Sequence, residues 1–124
     1  MALPVALQLY SVRDELEADF EGTIAKVRKF GYDGVEFAGL YGRSAEQVRK
    51  ILADAGLTPV SAHVPLDELL GDTQAVVATY KEIGCKYIVV PYLPEDRRPG
   101  TEGFDRTIED IKKIADVCNA QGVR

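Results

Sequence analysis

The 124-residue sequence is short of the groups that mark several functions. It has one histidine, His63, and two cysteines, Cys85 and Cys118. It has no run of five or six basic residues, and its net charge is −5. A phosphate backbone needs a basic footprint, so a nucleic-acid partner is not expected. There is no stretch of eighteen apolar residues, hence no membrane span and no membrane partner. The start, "MALPVALQLYSVRDE", carries no basic leader before an apolar core, so no signal peptide is read. The cysteines lack CxxC spacing and fit reduced, buried thiols of a cytoplasmic protein. No Ser–His–Asp or Cys–His arrangement stands out, and no residues have metal-ligand spacing. "GLYGRS" is neither GxGxxG nor a Walker loop.

What is present is a repeated sentence. "PVALQLY", residues 4–10, reads as a short strand. In "DFEGTIAKVRKFG" the residues Phe20, Ile24, Val27 and Phe30 form one helical stripe, closed by Gly31. "DGVEFA" is a second strand. "GRSAEQVRKILADAG" is a helix opened by a capping box at Ser44–Gln47 and closed by Gly56. "LTPVSAHV" is strand three, and "LDELL" a short helical turn. "DTQAVVATYKEIG" is a helix closed by Gly84. "KYIVVPY" reads as strand four, apolar enough to be buried on both faces. A charged loop, "LPEDRRPGTEG", leads to a helix carrying Phe104, Ile108, Ile111, Ala115 and Cys118, closed by Gly122.

Four strand–helix units without a linker predict a single α/β domain over residues 1–124, with a parallel sheet covered by helices. Two architectures fit. One is a small open doubly wound sheet. The other is a (βα)4 half of an eight-stranded barrel, since a whole barrel takes roughly 250 residues. On the second reading Gly122-Val123-Arg124 leads into a fifth strand.

In parallel α/β folds, chemistry gathers at the C-terminal ends of strands. Gln8, Glu36 and His63 stand late in strands one, two and three. Gln8 suits either a bond to a neighbouring strand or a pocket wall. A carboxylate in an apolar strand is costly unless paired or solvated, so Glu36 calls for a cavity or a donor partner. His63 can donate to a sugar oxygen, ligate a metal or move a proton. Tyr10 and Tyr92 follow strands one and four and could wall a pocket or simply pack at its rim. Arg43, at the start of the helix after "GLYGRS", could meet a phosphate, and "EDRRPG" reads as a solvated loop whose Arg97 and Arg98 could reach an anionic substrate.

The segments "QLYS", "GYDGVEFAG" and "SAHVPL", in this order and spacing, resemble the xylose-isomerase-like sugar phosphate isomerase/epimerase family, related to inosose dehydratases and tagatose-type epimerases. The resemblance runs over essentially the whole chain and implies the half-barrel. It implies a family chemistry in which a divalent metal (manganese, magnesium, cobalt or zinc) polarises a sugar carbonyl and hydroxyl while carboxylates move a proton. Glu36 and His63 would take catalytic positions; Gln8, Tyr10 and Tyr92 would contact a small sugar-like ligand. The family's usual four metal ligands come from strands five to eight, so no tightly bound metal is expected here; His63 alone could approach one. The expected partner is a second copy, as a homodimer, or a complementary C-terminal half-barrel, with little or no activity in the chain alone. The alternatives are an isomerase active as a dimeric full barrel, and an open α/β small-molecule binding module.

Overall fold

A computed structural model describes residues 2–124. Strand β1, Ala6–Gln8, passes through a 3-10 turn at Leu9–Val12 into helix α1, Arg13–Ala18. Asp19 breaks the helix and starts the next, its carboxylate accepting from the Gly22 N–H at 3.0 Å. Helix α2 is Phe20–Lys29, strand β2 Gly34–Ala38, helix α3 Ala45–Ala55 and strand β3 Thr58–His63. Then come α4, Leu66–Gly71, α5, Thr73–Ile83, β4, Tyr87–Val89, and α6, Phe104–Gln121. The sheet order is β1-β2-β3-β4, every pairing parallel.

Local signals set the helix ends. Ser44 accepts from the Gln47 N–H at 3.2 Å, and the Gln47 side chain accepts from the Ser44 N–H at 2.9 Å. Ser44→Ala is expected to cost about 1 kcal/mol, read as a lower denaturant midpoint at unchanged slope. An unchanged midpoint would mean that water caps this helix equally well. Helices α3, α5 and α6 end on Gly56, Gly84 and Gly122, each left-handed, where glycine meets no Cβ penalty.

Alternation along the strands separates two faces. Val35, Phe37 and Ala62 are fully buried beneath the helices, with Ile24, Val27, Val48, Leu52 and Val77. Successive helices α2, α3, α5 and α6 pack side by side over this face. The opposite face carries Gln8, Glu36, Ser61 and His63, and no layer covers it. The four strands thus form an α/β half-barrel.

Two strand readings need correction. β1 is only three residues long, because Leu9 is drawn under the helices and the chain coils there into a 3-10 turn. β4 is also three residues, and it is not buried on both faces: Tyr87 and Val89 are 43% and 37% exposed. Its apolar sequence suits a covered inner face, whereas here that face is open. Along the free edge of β4, the Arg124 N–H donates to the Lys86 carbonyl at 2.9 Å. The Arg124 carbonyl accepts from the Ile88 N–H at 2.7 Å, a parallel-ladder pattern.

Candidate functional site

The site begins with strand register. Gln8 lies opposite Glu36 in the β1–β2 ladder. Between β2 and β3 the pairing runs Gly34 to Thr58 and Val35 to Pro59, then jumps to Glu36 opposite Ser61 and Ala38 opposite His63. Val60 is the extra residue of this bulge. A slip of one residue exchanges the faces of a strand. Without the bulge Glu36 would oppose Val60, and Ser61 and His63 would point toward the helices. The bulge is therefore what brings β3's polar groups to the carboxylate. Gly34 accommodates it: a Cβ there would lie 2.7 Å from the Thr58 carbonyl oxygen and 3.0 Å from a Val60 methyl.

Glu36 is the hub. Its Oε1 accepts from Gln8 Nε2 at 2.8 Å and lies 3.1 Å from His63 Nε2. Its Oε2 accepts from the hydroxyl of Ser61, which is itself buried. Gln8 Nε2 is 3.4 Å from both ring nitrogens of His63. Equal distances put the amide over the ring face, because an in-plane approach would drive it into a ring carbon. The side chains of Glu36 and His63 are 23% and 27% exposed. Burial pushes the Glu36 carboxyl up, but hydrogen bonds from Ser61 and Gln8, with the His63 ring beside it, outweigh this and hold it below its ordinary value. At neutral pH Glu36 is a carboxylate held by two hydrogen-bond donors, Gln8 and Ser61, with the His63 ring beside it.

Above this network opens a cavity of about 460 Å³, lined by Gln8, Tyr10, Ala38, Gly39, His63, Pro65, Glu68, Pro91 and Tyr92. Four of the five residues singled out in the sequence line it. Glu36 does not: it stands behind Gln8 and His63 and acts through them. Tyr10 and Tyr92 are 55% and 60% exposed, after the C-terminal ends of the two outer strands β1 and β4. A contiguous cleft shares Tyr10, Ala38 and Gly39 and adds Arg13, Asp14, Glu17 and Tyr41. Tyr41 holds a left-handed backbone, φ 55°, unusual for a bulky residue, and its ring packs on Phe20.

Two site residues escaped sequence reasoning. Ser61 sits two positions before His63 in "VSAHVP", and strand alternation alone would put both on one face. Glu68 had no such signal, because only the path of α4 carries it to the cavity. The arginines proved to be engaged elsewhere. Arg43 lies over the Phe20 ring and donates to the Tyr41 carbonyl, while Arg97 pairs with Asp110 at 2.5 Å and donates to Thr107. Arg98 donates to the Leu93 carbonyl.

The residues present do not fit a metal centre by themselves. Both oxygens of Glu36 already accept hydrogen bonds, and a carboxylate with one imidazole falls short of a ligand set. Among the described residues no group of three His, Cys, Asp or Glu could hold a metal ion.

The model of the xylose isomerase-like TIM barrel family matches residues 24–124. Among solved structures, a sugar phosphate isomerase/epimerase from Parabacteroides distasonis superposes with a TM-score of 0.77 at 21% identity, covering 97% of this chain and 49% of that one. AP endonuclease, family 2, from Brucella melitensis gives 0.71 at 17% identity, covering 98% and 53%. An L-ribulose 3-epimerase gives 0.66 at 18% identity, covering 98% and 48%. The chain spans about half the length of each of these structures. Among curated proteins none matches.

Proposed function

Because the chain belongs to the xylose isomerase-like TIM barrel family, we propose that it supplies the substrate-facing first four strands of a sugar isomerase or epimerase barrel. The observation that carries this reading is the Gln8–Glu36–Ser61–His63 network, set at adjacent strand ends beneath a cavity with two tyrosines. Gln8 gives its amide hydrogen to Glu36 and keeps its carbonyl oxygen to accept from a sugar hydroxyl. In this reading the Glu36 carboxylate, 3.1 Å from His63 Nε2, favours a hydrogen on that nitrogen and leaves Nδ1 to accept in the cavity. The faces of Tyr10 and Tyr92 suit the C–H surfaces of a sugar ring or chain. Glu36 and His63 together hold a proton at a defined atom, which is what an isomerase asks of the groups around its reacting carbons. The divalent metal of the family finds no ligand set on these strands, so no step is routed through one.

Four more strands are needed to cover the inner face and the edges at β1 and β4. In this reading they come from a second copy or a complementary half-barrel, and the chain alone turns over little or no sugar. The neighbouring AP endonuclease acts, by its name, on nucleic acid; the net charge of −5 weighs against that partner here. No helix among the described residues is long and apolar enough to cross a membrane. Cytoplasmic placement is supported by Cys85 and Cys118, both free and buried. Burial pushes the Cys85 thiol up to about 12, which leaves it unreactive.

The test is ketose–aldose and epimerase turnover with added manganese, run beside light scattering, for the wild type and His63→Ala. Expected are a dimer or an assembly with an added second half, and turnover confined to that species and lost in His63→Ala. Turnover unchanged in the variant would overturn the roles given to His63. A stable, well-folded monomer with full activity would overturn the need for further strands.

A further inference from the structure

The segment between β4 and α6 contains "EDRRPG", which reads in the sequence as a solvated loop. In the structure it is clamped. It coils into a 3-10 turn at Glu95–Arg97, and the side chains of Arg97 and Asp110 are only 17% and 13% exposed. The Arg97 guanidinium is a planar fork that reaches two residues one turn apart on α6. Its Nε donates to the Thr107 hydroxyl at 3.0 Å, and its Nη2 donates to the Asp110 carboxylate at 2.5 Å. Thr107 is buried, and its hydroxyl shares its own hydrogen between the carbonyls of Arg97 and Gly103, at 2.9 and 3.1 Å. Side chain and backbone of Arg97 are thus both tied to α6.

The clamp reaches back toward the strand. The Arg97 N–H donates to the Pro94 carbonyl at 2.9 Å, and Arg98 Nε donates to the Leu93 carbonyl at 2.9 Å. Tyr92 is the next residue. Its ring is exposed, so its own packing does little to fix it, and the backbone on either side must do so. Tyr92 lines the main cavity and also a cleft of about 180 Å³ walled by Leu66, Asp67, Leu70, Pro94 and Arg97. Arg97 does not line the main cavity; Tyr92 stands between. Every group in this chain of contacts belongs to the loop, α4 or α6, so the arrangement does not depend on further strands.

We infer that Arg97 is a positioning residue of the proposed site: clamped to Thr107 and Asp110, it holds the Leu93–Pro94 backbone and so sets Tyr92 at the cavity wall. The effect on a ligand rests on the sugar reading above; the placing of Tyr92 does not.

The experiment compares the full chain with Arg97→Ala and with Arg97→Lys, which keeps the charge and loses the fork. Backbone 15N order parameters at Tyr92 and Leu93 are expected near 0.85 in the wild type and below about 0.6 in Arg97→Ala, with β2 and α3 unchanged and Arg97→Lys between. D-fructose affinity is then measured in a cycle with Tyr92→Ala. Arg97→Ala is expected to weaken binding about fivefold in the wild type and not further in the Tyr92→Ala background. Where Arg97→Ala does not fold, Asp110→Asn, which removes the charged acceptor, carries the same readouts. Unchanged order parameters at Tyr92 and Leu93 overturn the inference. Equal weakening in both backgrounds overturns the route through Tyr92. If D-fructose does not bind the wild type, the sugar reading falls, and the order parameters alone decide whether Arg97 places Tyr92.

Discussion

Replacing Phe37 with alanine is expected to destabilise the fold by about 3–5 kcal/mol, the range for emptying a large aromatic site in a packed core. Phe37 is 0% exposed in β2, on the face where the helices meet the sheet. Its register partner Ala62 is small, so nothing beside it in the ladder can fill the space. A domain of ordinary stability has about 5–15 kcal/mol in all. Because the inner face of this sheet is uncovered, the chain starts with less buried area than a closed barrel of the same strands. Phe37→Ala should therefore leave much of the chain unfolded at 25 °C, seen by circular dichroism and by a denaturant midpoint near zero. A loss under about 1 kcal/mol would show that the helical layer does not rest on this strand. Phe37→Leu, which keeps most of the volume, should retain a cooperative transition at reduced midpoint.

The second large effect is expected at Glu36, and it depends on pH. The folded protein holds this carboxyl below its ordinary value of 4.5. The sign follows from linkage: the unfolded chain takes up the proton first as pH falls. The stabilisation is complete above about 4.5 and is lost as pH drops through the lower, folded value. Glu36→Gln removes that titration. At pH 7 the variant should be less stable by on the order of 2 kcal/mol, since the bonds from Ser61 and Gln8 lose their charged acceptor and the His63 ring its neighbouring charge. Below the ordinary carboxylate range the two proteins should converge, because the wild type is by then protonated. Asp110, held low by its hydrogen bond from Arg97, titrates in both and cancels in the difference. Urea titrations of both proteins between pH 3 and 7 measure this. Parallel pH profiles would mean that the Glu36 network contributes nothing through its charge.

Much of the fold was legible before any coordinates. Phe20, Ile24 and Val27 and the capping box at Ser44 specify their helices through contacts three and four residues apart, whereas Phe30, read as part of the same stripe, lies past the end of α2 and is 77% exposed. The glycines at 56, 84 and 122 act over the same short range. Gln8, Glu36 and His63 were identifiable because each is a polar side chain late in an apolar strand. Less legible were features set by residues far apart in the chain. The shortening of β1 follows from Leu9 packing under helices that come later. The exposure of Tyr87 and Val89 depends on what covers the inner face, which no local pattern of apolar residues reports. The engagement of Arg43 and Arg97 depends on Phe20 and Asp110.

By itself, then, the sequence determined the strand–helix alternation, the helix ends and the identity of three polar strand-end residues, because short-range spacing and capping control all of these. Only the tertiary structure decided that those residues meet. The bulge at Val60 turns Ser61 and His63 onto the Glu36 face, and the path of α4 sets Glu68 at the cavity wall. Register and side-chain convergence are settled by packing between strands that lie 25 or more residues apart, and no local window of sequence contains both partners.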